Sequence, residues 1–242
     1  MALRLRWRLF FFSRSFWITL VILLSTTILF LFGSYQETGQ NDASKFFCWH
    51  FSDFTTFLCA CAVLSGLQVC YSFQIGITRY IVSTGVKRST WIIAEFLSWL
   101  IFSFALIFLD LILSTGIAIL VFGNEQSLIA LFSHVVVVCL RSVPLYFGLL
   151  SLFFAIGSIL QNGGITIAVN VVLSLAVYAS TRVMRGGDSF VAAINPAYQL
   201  GQISEFAYTL SAQYYLSAAF SVLVGLCFMW LGIRRFSNQE LL

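Results

Sequence analysis

The sequence predicts an all-α integral membrane protein, a single transmembrane domain over residues 1–242, and three observations predict it. Of its residues 60% are hydrophobic, only 9% are charged and two are proline, whereas a soluble domain carries about 25% charged residues over its surface. The apolar residues fall in long unbroken runs rather than the alternation of a transmembrane barrel, and 26 Phe, 9 Tyr and 6 Trp suit a lipid-facing surface. Basic residues collect in alternate connecting segments. Disordered, collagen-like and coiled-coil chains need polar, glycine-periodic or heptad compositions that are absent here.

The elements follow in chain order. In residues 1–15, Leu3, Trp7, Phe10 and Phe11 share one face at i, i+4, i+7 and i+8 among arginines, which predicts an amphipathic helix lying on anionic headgroups. A plain basic topology anchor fits the same residues. Six runs are then long enough for a hydrocarbon core that needs about 20 helical residues: Phe16–Phe32, Phe54–Phe73, Trp91–Phe122, Pro144–Leu160, Ile165–Thr181 and Tyr214–Ile233. The apolar stretch from Leu128 to Leu160 would run about 50 Å as one helix, so Pro144 is expected to split it into an interfacial piece, residues 128–143, and a spanning piece. The first run is expected to stay as a permanent span and not to be cleaved as a signal, because Gly33-Ser34-Tyr35-Gln36 offers no small-residue cleavage pattern, and an organellar targeting peptide is the other reading of the Arg-rich start. Within residues 182–213, Asn195-Pro196 reads as a helix start, with Leu200, Ile203, Ala207 and Leu210 spaced for a short helix at the opposite interface. Ser217, Ser221 and Gly225, and likewise Ala62, Gly66 and Cys70, form small-residue faces that allow close helix approach, within one chain or between two.

Charge sets the orientation. Arg4, Arg6, Arg8, Arg14, Arg79, Lys87, Arg88, Arg234 and Arg235 fall on one side of six alternating spans, with Glu240 as the only acid. The opposite segments hold three basic residues against six acids. The positive-inside rule puts the first side, and both termini, in the cytoplasm.

Residues 74–90, QIGITRYIVSTGVKRST, carry the most information. Ile75, Ile77, Tyr80, Ile81 and Val82 are apolar in a segment too basic for lipid, which fits a short amphipathic helix stopped by Gly85 with Lys87 and Arg88 beyond it. Apolar residues exposed beside a basic pair imply docking to a protein partner; a basic turn that only fixes topology fits the composition equally.

Catalytic motifs are missing from the sequence. It has no G-x-x-x-x-G-K-[ST] loop for ATP, no H-E-x-x-H, and no G-x-S-x-G elbow. His50 and His134 stand far apart in sequence, and the cysteines at 48, 59, 61, 70, 139 and 227 lack metal-ligand or disulfide spacing. No enzyme activity, metal or nucleic-acid partner is implied for the chain itself. The exception is Asp110, mid-way along the third run, since an acid in hydrocarbon is costly and marks a candidate pathway; Arg141 is a possible partner for it.

The whole-chain layout resembles the ABC-2 type permease subunit of ATP-binding cassette transporters, over nearly all 242 residues. The resemblance rests on the basic surface helix, the large outer loop, six spans and the Asn195-Pro196 segment before the last span. Its most specific part is Gly76-Ile77-Thr78-Arg79-Tyr80 through Ser83-Thr84-Gly85-Val86-Lys87-Arg88, similar to the family's segment carrying a coupling helix. Glu95 stands where the family usually has a basic residue. The resemblance implies a multi-pass plasma-membrane protein, bacterial, that pairs with a second permease chain and with cytoplasmic ATPase subunits carrying ATP and Mg. Tyr80, Ile81, Gly85, Lys87 and Arg88 would couple to the ATPase, and the substrate would be a peptide, drug or lipid-like molecule. The alternative is an ATP-independent carrier or channel, against which the lack of an internal repeat weighs.

Overall fold

The computed structural model describes residues 14–38, 42–74, 85, 87–123, 127–183, 190, 194–203 and 210–238. Every described element is helical. We number them α1 (Arg14–Thr38), α2 (Ala43–Ser52), α3 (Phe54–Leu64, a π-helical turn Ser65–Val69 and a last turn Cys70–Gln74), α4 (Arg88–Phe122), α5 (Leu128–Leu160), α6 (Gly163–Val183), α7 (Pro196–Gln202) and α8 (Ala212–Asn238). Four of them, α4, α5, α6 and α8, are long and apolar enough to cross a membrane, and a fifth crossing results if α2 and α3, bent by 54°, form one broken span. In α1 the apolar stretch Phe16–Leu29 is shorter. Leu29, Leu120, Ile129 and Val172 are among many large apolar side chains left exposed, as expected of a protein whose solvent is lipid.

Contacts along the helices fix their directions. Phe16 meets Phe102 and Thr27 meets Asp110, so α1 and α4 run parallel. The Trp99 indole donates to the Leu150 carbonyl while Phe96 packs on Phe154, so α5 returns antiparallel to α4. Gly66 lies on Gly163 and Phe54 on Tyr178, making α3 and α6 antiparallel. Tyr214 reaches Arg141 and Gly232 reaches Ser158, which sets α8 parallel to α5. One end of the bundle therefore gathers Arg14, Gln74, Lys87, the α5–α6 turn and the end of α8, and the other gathers the end of α1, Gly123 and α7.

Close approach follows from small residues. A side chain at Gly148 would meet the Ser221 hydroxyl and carbonyl, and one at Gly225 would meet Phe147. The Ser221 hydroxyl donates to the Leu145 carbonyl (2.9 Å) and lies 3.2 Å from the Gly148 amide. The small-residue faces thus pack within the chain: Ser221 and Gly225 on α5, Gly66 and Cys70 on α6 and α5, where the Cys70 thiol lies 3.2 Å from the Thr166 hydroxyl.

Three expectations change. Pro144 does not split the apolar stretch: α5 is continuous over its 33 residues, so residues 128–143 belong to the same helix as the spanning piece. The proline cannot donate to the Leu140 carbonyl, but beside it the Tyr214 hydroxyl donates to the Arg141 carbonyl at 2.9 Å and Ser142 to Cys139 at 2.8 Å. Neighbouring donors of this kind let a membrane helix carry proline. Second, α7 is short and packed into the end of the bundle, and residues 204–209, which carry Ala207, lie outside the described residues. Asn195 caps it by accepting from the Ala197 amide (3.0 Å), as its sequence predicts, but Ala197, Leu200 and Ile203 are fully buried against the long helices. Third, the large loop after the first helix contains α2, whose Phe46, Phe47, His50 and Phe51 are all buried. Residues 1–13, which carry most of the amphipathic helix, and residues 75–84, which carry Tyr80 and Ile81, lie outside the described residues.

The α5–α8 contact yields a pair of opposed predictions, read as folded fraction during titration with a denaturing detergent. Gly148→Ala should destabilise by about 1–3 kcal/mol, because its Cβ has no room at the Ser221 backbone. Gly116→Ala, with nothing within 4 Å of the new Cβ, should be neutral or stabilise by up to about 1 kcal/mol.

Candidate functional site

Asp110 sits in α4 with no exposed surface, and burying its carboxylate without donors would be prohibitive. The donors come from two other helices. His50 Nε2 lies 3.0 Å from Asp110 Oδ2, and with its proton there the ring donates to the carboxylate. Thr27 of α1 lies 3.4 Å from Asp110 Oδ1 and 3.4 Å from His50 Nε2. The Thr27 hydroxyl also lies 3.0 Å from the Leu23 carbonyl; its single proton serves one acceptor at a time, so it can turn between backbone and carboxylate.

The chain geometry behind this triad is the break at Asp53. A straight helix through residues 43–74 would point α2 along α3; the 54° bend instead lays α2 across the bundle and delivers His50 to α4. The start of α2 is held by the Ala43 amide donating to the Gly123 carbonyl at 3.3 Å, and by Ser44 bonding to Asp42. Aromatic rings enclose the imidazole: Phe46 stacks on it at 5.6 Å and Phe57 meets it edge-on at 5.2 Å. His50 and Thr27 are 3% and 1% exposed, so the three helices share a polar contact closed off from the surroundings. What such an arrangement can do chemically is hold a proton between a base and an acid inside an apolar shell.

A second polar contact joins α3 to α6. The π-turn places Ser65 where the Asn170 amide donates to it at 2.7 Å, while Asn170 also reaches the Phe153 carbonyl at 3.4 Å. A single-turn π segment is a frequent feature of functional sites; here it coincides with the tight Gly66–Gly163 crossing.

Cavities of several hundred Å³ open between the described helices. One, about 470 Å³, lies between α5, α6 and α8 and is walled chiefly by Leu152, Val177, Phe220, Val224 and Phe228. Another, about 500 Å³, lies between α1, α3 and α6. Among the described residues no three His, Cys, Asp or Glu side chains converge to hold a metal ion.

Of the residues singled out in the sequence, Asp110 is paired with His50, not with Arg141, whose carbonyl accepts from the Tyr214 hydroxyl of α8. Gly85 has φ +89°, a backbone conformation natural to glycine. Lys87 is exposed at the N-cap of α4 and Arg88 begins that helix, three residues before the expected Trp91. Tyr80 and Ile81 are outside the described residues. Glu95 is buried on α4. His50 is the residue that sequence reasoning missed as a partner; its signal was the run Ala43, Phe46, Phe47, His50 and Phe51 at i, i+3, i+4, i+7 and i+8, which places it on the apolar face of a helix.

No protein-family model, curated protein or solved structure matches this chain.

Removing one member of the triad should leave the other buried and unmatched. His50→Ala or Asp110→Ala is expected to cost about 2–4 kcal/mol of unfolding free energy, between the values for membrane hydrogen bonds and for broken buried ion pairs. His50→Ala combined with Asp110→Ala should cost clearly less than the two single losses added, measured as a double-mutant cycle in the same detergent titration. Simple additivity would show that the pair carries no mutual interaction.

Proposed function

We propose that the chain is the membrane-spanning permease subunit of an ABC-2 type exporter, which forms the substrate pathway with a second permease chain and couples to a separate ATPase subunit. In this reading α1, the bent α2–α3 pair, α4, α5, α6 and α8 are six spans, and both termini face the cytoplasm of a bacterial cell. The observation that carries the reading is the common end of the bundle. Gln74 and Lys87, which flank the 75–86 connection with its Arg79, share it with Arg14, Arg88, Arg234 and Arg235. A cationic face of this kind belongs on the cytoplasmic side by the positive-inside rule, and there the apolar Tyr80 and Ile81 would be within reach of a cytoplasmic ATPase. The chain's own sequence supplies no ATP-binding loop, in keeping with ATP and Mg bound on the partner.

A second reading, an ATP-independent carrier, draws on one observation: the enclosed His50–Asp110 pair is a proton-holding element of the kind that carriers use. Transport that persists without any ATPase but is lost in Asp110→Asn would transfer the assignment to it.

Two experiments test the exporter reading. A reporter active only outside the membrane, fused to Leu242, should give no signal, and strong activity would reverse the orientation of every connection. Tyr80→Ala combined with Ile81→Ala should release a co-purifying ATPase, because truncating a buried apolar anchor costs about 2 kcal/mol or more. Lys87→Glu with Arg88→Glu should mainly weaken association at low salt, since exposed ion pairs contribute only about 0–1 kcal/mol each. Undiminished ATPase co-purification and export by the Tyr80/Ile81 variant, at correct orientation, would remove the coupling role of residues 74–90.

A further inference from the structure

We propose that the cavity between α1, α3 and α6 is a binding site for an amphipathic cation, an amine carried on an apolar body, with Asp53 as the residue that recognises the charge. The site goes beyond the exporter reading and does not need it, because binding is assigned to this chain alone.

The cavity is graded along its length. At the end where α2 meets α3 it is bordered by Asp53, Thr55, Thr56, Thr26 and Tyr178. About 10–15 Å further along α3, taking 1.5 Å per residue, its wall is Cys59, Ala60 and Val63, faced by Ile22, Leu23 and one hydroxyl residue, Thr19, of α1 and by Leu175 of α6, so that this end is chiefly apolar. A carboxylate with hydroxyls at one end and aliphatic side chains at the other match a molecule with a charged head and an apolar tail. The volume of about 500 Å³ falls in the range of sites for molecules of drug size. Ile22 and Leu175 are more than half exposed, so the cleft opens sideways between α1 and α6, the direction from which a membrane-dissolved molecule arrives.

Asp53 is the feature that selects the sign of the charge. It is the break residue between α2 and α3, fixed by the bend, with its amide donating to the Trp49 and His50 carbonyls. The Thr56 hydroxyl approaches its carboxylate at 3.4 Å. Among the described residues no Lys, Arg or His side chain forms an ion pair with it, in contrast to Asp110, whose Oδ2 lies 3.0 Å from His50 Nε2. A carboxylate at one end of an apolar cleft, held in place and, among the described residues, unmatched by a cation, is complementary to a cation brought by a ligand.

The test is binding of tritiated dodecylammonium to the purified full-length chain in non-ionic detergent, with dodecanol as the neutral competitor of the same tail. Dodecylammonium should bind about tenfold or more tightly than dodecanol. Asp53→Asn, which keeps a residue suited to a helix cap, should erase that preference while leaving dodecanol binding unchanged. Asp53→Glu should retain the preference, and Ala60→Trp, filling the cleft, should abolish binding of both. Equal binding of the two amphiphiles to the wild-type chain, or a preference that survives Asp53→Asn, would overturn the proposal. Phosphatidylethanolamine should compete poorly, because its phosphate would lie beside the carboxylate; competition equal to that of dodecylammonium would assign the cleft to a lipid and overturn the proposal as well.

Discussion

A carboxylate placed among apolar helices must find donors inside the protein, because lipid offers none and the helix backbone is already bonded to itself. Asp110 imposes that requirement on this chain, and much of the architecture follows from how it is met. Its donors come from α1 and α2, so those helices cannot drift from α4 without stranding a buried charge. The break at Asp53 then follows, since α2 must lie across the bundle to reach α4 while α3 continues along it. Phe46 and Phe57 close the ring face and edge of His50, and the low polarity they create strengthens the contact they enclose.

The other half of the bundle is held by a different means. Between α5 and α8, and between α3 and α6, glycine and serine remove bulk so that backbones touch, and hydroxyls bond to carbonyls of the neighbouring helix. In lipid, where burying an apolar side chain gains little, this combination of dispersion contact and interhelical hydrogen bonding is the available source of cohesion. It also explains why Pro144 interrupts nothing: the helix beside it supplies Tyr214 to the carbonyls near the proline, and the 33-residue helix stays whole.

Composition and run length were sufficient to read the helical class, because so few charges leave little to cover a soluble surface, and α4 and α6 fall within a few residues of the apolar runs that announce them, whereas α5 begins well before the expected Pro144. The cap at Asn195 was legible too, since Asn before Pro states a helix start locally. What the sequence hid is what depends on tertiary partners. Pro144 looked like a break because the donors of α8 are far away in sequence. His50 looked isolated because Asp110 is 60 residues distant, and α2 was absorbed into a loop although its Phe46, Phe47 and Phe51 keep helical spacing. The π-turn at Ser65–Val69 has no sequence signature apart from the Gly66 it contains, and its partner Asn170 lies on another helix.

Two acids thus have different fates: Asp110 is buried and matched within the bundle, and Asp53, half-buried at the bend that makes the match possible, faces an open cleft. The first is the claim on which the arrangement of α1, α2 and α4 stands. Because the chain has only two histidines, the ring nitrogens of His50 can be assigned by removing His134, and solid-state NMR in lipid bilayers can then measure dipolar coupling between His50 Nε2 and the Asp110 carboxyl carbon. A strong coupling, as a 3.0 Å contact between Nε2 and Oδ2 requires, is the result this account predicts. A His50 ring with no coupling to Asp110, in a protein that is folded and in the membrane, would contradict it.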